Sequence, residues 1–325
     1  VSPPSERDTP LLERAIELAE RGRGRTRPNP VVGALVARDD EVVGEGWHER
    51  AGGPHAEVVA LEAAGEQAPG AELYVTLEPC CFTGLTGPCC ERIVEARIAR
   101  VVVGSIDPNP RVDGRGIARL READIEVDLA EGEIAFRARR QNESWRTWIS
   151  QSRPFVTYKV AVTLDGRVTL PGSRWLSGEA SRRRVHELRA ASDAVAVGIG
   201  TVLADSPRLD ARDVGAERQP RRLAFGRGPL PEDSELELRS GPIADELRAL
   251  AEDGVQSLLL EGGPRLATSF LEAGLIDRLL VFVTPHLVGA GPHLLGELEE
   301  SQVLSRVELE RIGEDVLISG YVHEP

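Results

Sequence analysis

Hydrophobic positions near the start of the chain recur at helical spacing. Leu11, Leu12, Ala15, Ile16 and Ala19 fall on one face and predict a helix over 11–20. A basic, Gly/Pro-rich loop over 21–30 follows and ends in Pro28-Asn29-Pro30. Apolar runs at 31–37 and 41–46 predict two strands joined by a turn at Asp39-Asp40. Pro54 can open a helix that carries 55–64. A strand over 72–77, a loop over 78–90, a helix from Cys89 or Cys90 to Arg97 and a strand over 100–105 come next. Positions 107–116 are rich in turn residues. Strands alternating with helices in this way predict a layered α/β domain.

The pattern breaks over 142–152, so the domains are expected to be 1–149 and 150–325. The second region reads as strand 155–163, helix 178–190, strands 194–198 and 222–225, helix 243–252, strand 257–261, helix 266–273 and strand 278–285. A strand over 315–323 closes it. No internal repeat is present.

Composition narrows the function. The net charge of −14 over 325 residues argues against a nucleic-acid partner, which needs a basic surface. A few local arginines can still hold one phosphate. No apolar run is long enough to cross a bilayer, and residues 1–10 carry no apolar signal core, so no membrane partner is expected and the expected location is cytoplasmic. Lys159 is the single lysine among 39 basic residues, which suggests that its chemistry is needed where it stands. The four cysteines, Cys80, Cys81, Cys89 and Cys90, are clustered, which points to metal or redox chemistry over a disulfide framework.

The strongest chemical signal is His55-Ala56-Glu57 with Pro79-Cys80 and Pro88-Cys89. One imidazole and two thiolates suit Zn²⁺. Three protein ligands leave the fourth tetrahedral position to water, the arrangement of a catalytic site. Zinc brings the pKa of such a water toward ~7. Glu57 follows His55 on the same helix. It can stand beside the metal without binding it, shuttling protons from the water to a departing amine. The spacing between the two Pro-Cys pairs is longer than in many deaminases, so the intervening residues must loop out. Cys80 and Cys89 are the expected ligands because each follows a proline, and Cys89 would open a helix, which favours its thiolate. Cys81 and Cys90 read as packed thiols. A structural zinc would instead need a fourth ligand, with Cys81, Cys90 and His48 as candidates.

In the second half no G-x-G-x-x-G follows a strand, so a Rossmann fingerprint is absent. Glu261-Gly262-Gly263-Pro264-Arg265 lies between an apolar strand and a helix. Its glycines allow close approach, and the free N–H groups at the helix start suit phosphate. Gly263, Pro264 and Arg265 are therefore candidate cofactor contacts. Gly198-Ile199-Gly200-Thr201 is a second turn of this kind. Neither turn is specific alone.

Together these residues resemble the bifunctional deaminase–reductase family of riboflavin biosynthesis. The resemblance is carried by Thr26-Arg27-Pro28-Asn29-Pro30, by Gly53-Pro54-His55-Ala56-Glu57, by Thr76-Leu77-Glu78-Pro79-Cys80 and by Asp107-Pro108-Asn109-Pro110. It continues through Arg153-Pro154-Phe155-Val156, Leu164-Asp165-Gly166-Arg167, Val185-His186-Glu187-Leu188-Arg189-Ala190 and Glu261-Gly262-Gly263. It implies a cytidine-deaminase-like three-layer α/β/α domain followed by a dihydrofolate-reductase-like α/β domain. The first would deaminate 2,5-diamino-6-ribosylamino-pyrimidinone 5′-phosphate, and the second would reduce the ribosyl group with NADPH. By the same resemblance Asn29, His48, Asp107 and Asn109 contact the pyrimidine or ribose phosphate. Ala161, Trp175, Thr201 and Asp205 line the NADPH site. Ser173, Arg189, Leu209, Arg212 and Glu261 hold the second substrate, with Lys159 near the reacting sugar. A homo-oligomer is implied as well.

The chain departs from this pattern in two places. Where relatives carry a histidine and a basic residue between the zinc cysteines, it has Phe82 and Leu85. A phenyl ring donates no hydrogen bond and leucine pairs with no phosphate. The alternative reading is thus a reductase with a degenerate or retargeted deaminase domain. A non-catalytic zinc- or nucleotide-binding protein is a further alternative, against which the intact Glu57 argues. The second departure is a short stretch between Phe225 and Val255. There relatives have another strand with a cofactor-contacting serine, and no equivalent is legible.

Overall fold

Side-chain alternation divides each strand of the first half between two apolar layers. The computed structural model describes residues 7–82 and 87–325, so Leu85 lies outside the described residues. The chain forms two compact units, Val1–Gln151 with Pro325, and Ser152–Glu324.

In the first unit the elements run α1 (Asp8–Glu20), β1 (Gly33–Arg38), β2 (Glu41–Trp47), α2 (Ala56–Ala64), β3 (Glu72–Val75), α3 (Cys89–Glu95), β4 (Arg100–Val103), α4 (Arg115–Glu122), β5 (Glu126–Leu129), α5 (Gly132–Gln141) and α6 (Glu143–Gln151). They build a five-stranded sheet of order β2-β1-β3-β4-β5. β1 is antiparallel to both neighbours, and β3, β4 and β5 are parallel. Ala34, Val36, Leu73, Val75, Val101 and Val103 face α2, α3 and α4. Leu35, Ala37, Tyr74 and Val102 face α1 and α5. The result is the three-layer α/β/α arrangement expected. Asp39 and Asp40 both have positive φ, which a two-residue hairpin turn requires.

The backbone of β2 touches that of α2. A Cβ at Gly46 would stand 2.4 Å from the Ala56 carbonyl oxygen, so only glycine fits there. This contact fixes the first turn of α2, where His55 and Glu57 lie.

The second unit runs β6 (Phe155–Thr163), α7 (Glu179–Ala191), β7 (Ala194–Gly198), α8 (Ile199–Asp205), β8 (Arg221–Phe225), β9 (Glu237–Arg239), α9 (Ile243–Glu252), β10 (Ser257–Leu260), α10 (Pro264–Glu272), β11 (Arg278–Thr284), β12 (Ser305–Ile312) and β13 (Asp315–Tyr321). Its eight-stranded sheet has the order β12-β13-β11-β6-β10-β7-β8-β9. The strands from β11 to β9 are parallel, and β13 and β12 close the sheet antiparallel. Leu247 and Leu250 of α9 and Phe270 of α10 pack on one face. Val185 of α7 and Val202 of α8 pack on the other.

Two of the quoted motifs are structural. The guanidinium of Arg153 donates to both carboxylate oxygens of Asp277 at 2.7 Å, and Asp277 also accepts the Val156 N–H, which sets the start of β6. Asp165 accepts from the Thr163 hydroxyl and from the N–H groups of Val288 and Gly289, which ties two loops together and holds its carboxyl down to about 2.

The expectation of no strand between Phe225 and Val255 is corrected. β9 pairs parallel with β8. It is a three-residue edge strand of sequence Glu-Leu-Arg with no residue fully buried, so it carries no apolar alternation. Ser240 follows it directly. Among the described residues no helix is long and apolar enough to cross a membrane.

Candidate active sites

In the first unit the ends of two helices face each other. His55 precedes α2 in extended conformation, and Cys89 is the first residue of α3 after the extended Pro88. The Nδ1 of His55 lies 3.1 Å from Cys89 Sγ and 3.6 Å from Cys80 Sγ. Tetrahedral zinc with Zn–N of ~2.0 Å and Zn–S of ~2.3 Å separates such atoms by about 3.5 Å. The three donors therefore fit Zn²⁺ in both chemistry and spacing. They form the one such cluster among the described residues. The backbone N–H of Cys89 points at Cys80 Sγ at 3.4 Å. Cys89 and His55 hold the Cys80 thiol down, while Cys80 and burial push the Cys89 thiol up. A divalent cation bound by deprotonated thiolates suits such a pair.

The candidates for a fourth protein ligand point elsewhere. Cys90 Sγ faces the carbonyls of Pro79 and Gly116, and Cys81 packs against the core. His48 is engaged on both ring nitrogens. Its Nδ1 lies 3.0 Å from the Pro54 carbonyl and its Nε2 3.2 Å from Asn29 Nδ2. The carbonyl accepts a hydrogen bond from Nδ1–H, so Nε2 accepts from Asn29 and the ring is neutral. Burial lowers the His48 pKa, which agrees with that tautomer.

Above the three donors is a cavity of about 340 Å³. Asn29, His48, Glu57, Phe82, Asp107 and Asn109 all line it, so every substrate-side residue expected in this unit converges on one place. Glu57 is only 3% exposed. Burial pushes its carboxyl up, and it is close enough to Cys89 to hydrogen-bond it. Burial likewise pushes Asp107 up to about 7.

Glu78 is the functional residue that the sequence did not expose. It is buried and accepts four backbone N–H groups, from Asp107, Gly114, Gly116 and Ile117. Two of these open α4, so one side chain both caps that helix and pins the loop carrying Asp107 and Asn109. Gly116 must lack a Cβ, which would sit 2.0 Å from the Pro79 carbonyl oxygen. Glu78→Ala should destabilise the first unit by about 3 kcal/mol or more, since several buried N–H groups lose their acceptor. Urea denaturation followed by tryptophan fluorescence measures it, and a midpoint equal to that of the parent would reject the role. Trp145, Trp148 and Ile149 of α6 also line the cavity. Their i, i+3, i+4 spacing was the available signal for that helix face.

In the second unit four expected residues form one chain of contacts. Arg189 donates to both oxygens of Glu261 at 2.6 and 3.0 Å. Lys159 Nζ stands 3.6 Å from the same carboxylate. Arg189 also donates to the Asp210 carbonyl, and the Asp210 carboxylate pairs with Arg212. Burial lowers the Lys159 pKa and opposes the effect of Glu261. Leu209 is buried with φ +53°, which marks a strained turn beside Asp210. Ala161 is on β6, two residues beyond Lys159.

At the carboxyl ends of β7 and β10 the starts of α8 and α10 lie together. A Cβ at Gly263 would approach Thr201 Oγ1 at 3.7 Å, and one at Gly200 would meet nothing within 4 Å. Bare backbone at helix starts, on the carboxyl edge of a parallel sheet, suits a cofactor phosphate. Pro264 and Arg265 open α10. Ser173 forms a tight turn with Trp175, whose ring lies under Arg174 and Arg182. Asp205 ends α8 and is exposed. Among the described residues no hydrogen bond or ion pair ties Ser173, Trp175 or Asp205 to the Lys159 cluster.

Residues 5–105 match the cytidine and deoxycytidylate deaminase zinc-binding region, and residues 154–318 match the RibD C-terminal domain. Fold and matches together define the class, a cytidine-deaminase-like domain joined to a reductase domain. The chain is 40% identical to riboflavin biosynthesis protein RibD of Aquifex aeolicus, over 96% of this chain and 97% of that one. It is 36% identical to the RibD protein of Escherichia coli, over 96% and 98%. The chain belongs to the RibD family. Among solved structures, Acinetobacter baumannii RibD superposes with a TM-score of 0.82 at 36% identity, over 97% of this chain and 99% of that one. A Thermotoga maritima structure is described as a diaminohydroxyphosphoribosylaminopyrimidine deaminase/5-amino-6-(5-phosphoribosylamino)uracil reductase. It superposes at 0.80 with 34% identity, over 97% and 98%.

Proposed function

We propose that the chain is a bifunctional enzyme of riboflavin biosynthesis. Its first unit deaminates the diaminopyrimidine ribosyl phosphate, and its second reduces the ribosyl group of the product with NADPH. The observation that carries this is the meeting of His55, Cys80 and Cys89, with Glu57 beside them, at the floor of a cavity of about 340 Å³.

His55, Cys80 and Cys89 would hold zinc, which when bound would supply a Lewis acid that makes water nucleophilic near neutral pH. Glu57 Oε would carry the protons of the attacking water to the ring nitrogen and to the departing amine, so that the water oxygen becomes the product carbonyl and the amine leaves as ammonia. Asn29, the neutral His48, Asp107 and Asn109 contact the pyrimidine or the ribose phosphate. The tryptophan wall of α6 keeps bulk water from the reacting carbon.

In the second unit Gly263, Pro264, Arg265 and Thr201 hold the phosphates of NADPH. Ala161, Trp175 and Asp205 extend that site. The cofactor supplies the hydride for the sugar carbon C1′. Lys159 gives a proton to the sugar oxygen, and Glu261, itself held by Arg189, keeps its ammonium in place. Ser173, Leu209 and Arg212 hold the substrate. The protein acts on a small phosphorylated pyrimidine in the cytoplasm, as a homo-oligomer.

Metal removal separates the two activities. Treatment of the whole protein with a zinc chelator should abolish ammonia release while NADPH oxidation on the deaminated substrate continues. Re-addition of zinc should restore it. Ammonia release that survives complete loss of zinc would reject the metal site. Loss of both activities with the fold intact would reject their assignment to separate sites.

A further inference from the structure

Arg111 follows the Asp107-Pro108-Asn109-Pro110 turn. Its N–H is donated to Asn109 Oδ1 at 3.0 Å, and Val112 beside it is buried in the cavity wall. The root of the side chain is therefore fixed at the cavity rim by the loop that Glu78 pins. The guanidinium carbon lies 4.1 Å from the centroid of the Phe82 ring, which itself lines the cavity. Among the described residues no carboxylate pairs with Arg111. A guanidinium seated over an aromatic ring can still present N–H groups outward, and two of them can bind one phosphate. Arg146, also close to Asp107, donates one Nη to the Ile106 carbonyl and keeps a buried Nε, whereas Arg111 is exposed.

We propose that Arg111, seated on Phe82, is the specificity-determining residue that holds the phosphate of the deaminase substrate. The two departures between the zinc cysteines are then one exchange. A hydrogen-bonding histidine and a nearby cation are replaced by an aromatic platform and a cation from the neighbouring loop. The proposal rests on the reading of the first unit as a deaminase of a phosphorylated pyrimidine.

The test uses the zinc-loaded full-length protein and measures ammonia release from the ribosyl 5′-phosphate substrate and from its dephosphorylated form. Arg111→Gln should raise KM for the phosphorylated substrate about 30-fold, the range of a charge-assisted bond to phosphate, and leave kcat within about twofold. The dephosphorylated form should show little change, and Arg111→Lys should fall between Gln and the parent. Phe82→Ala should raise the same KM by less. NADPH oxidation and zinc content, unchanged in each variant, show that the fold is intact. An unchanged KM in Arg111→Gln, or an equal loss on both substrates, would overturn the assignment. A parent protein that releases no ammonia from either substrate would overturn the deaminase reading itself. A parent that acts on both while only Arg111→Gln is indifferent would remove Arg111 alone.

Discussion

Glu57→Gln retains zinc and loses ammonia release by about 10²- to 10⁴-fold, the range for a general acid–base residue. Glutamine keeps the shape of the side chain, so the helix start that carries His55 is undisturbed. It cannot accept and return a proton. Glu57 is buried against Cys89, where water does not substitute for the lost carboxylate. Zinc per chain, measured by elemental analysis, should match the parent, because His55, Cys80 and Cys89 are all present. Loss of zinc would make Glu57 a ligand. Retention of more than a tenth of the activity would leave the proton transfer to another group. NADPH oxidation on the deaminated substrate should be unaffected.

Lys159→Met abolishes NADPH oxidation and spares the deaminase. The expected loss in kcat is about 10²- to 10⁴-fold. Methionine fills a similar length of apolar space. Glu261 keeps its two hydrogen bonds to Arg189, so no buried carboxylate is stranded. The effect therefore reads the ammonium and not a collapse of the cluster. Burial already lowers the pKa of this ammonium, which makes it a better proton donor than an exposed lysine. Lys159→Arg should fail to restore the rate, since a guanidinium holds its proton too tightly. Normal turnover in Lys159→Met would remove the residue from the chemistry. Equal loss of both activities would point to unfolding.

The sequence made the metal cluster legible because its members carry rare chemistry in a fixed order. His55, Cys80 and Cys89 needed only local rules, a proline before each thiol and a helix start at His55 and at Cys89. The strands with apolar alternation were legible for the same local reason, and 155–163 and 194–198 coincide with β6 and β7. What stayed hidden was set by tertiary partners. β9 exists because β8 offers it an edge, not because Glu-Leu-Arg favours a strand. β12 is largely solvent-facing, with Leu309 71% exposed, and it reads as loop until β13 pairs with it. α4, β5, α5 and α6 were passed over beyond the Asp107–Gly116 turns, and with them the tryptophans of the cavity. Glu78 reads as an ordinary member of Thr-Leu-Glu-Pro-Cys. Its meaning appears only when the N–H groups of a loop some thirty residues later turn toward it.

That carboxylate also shapes how the cavity can change over evolutionary time. The course of the loop from Asp107 to Ile117 is anchored by a residue outside the loop. A rim position such as 111, whose side chain carries none of that anchoring, is therefore free to drift. A mutation there alters what the pocket reads without redrawing its outline, so recognition can be rewritten one residue at a time above a reaction centre that stays still.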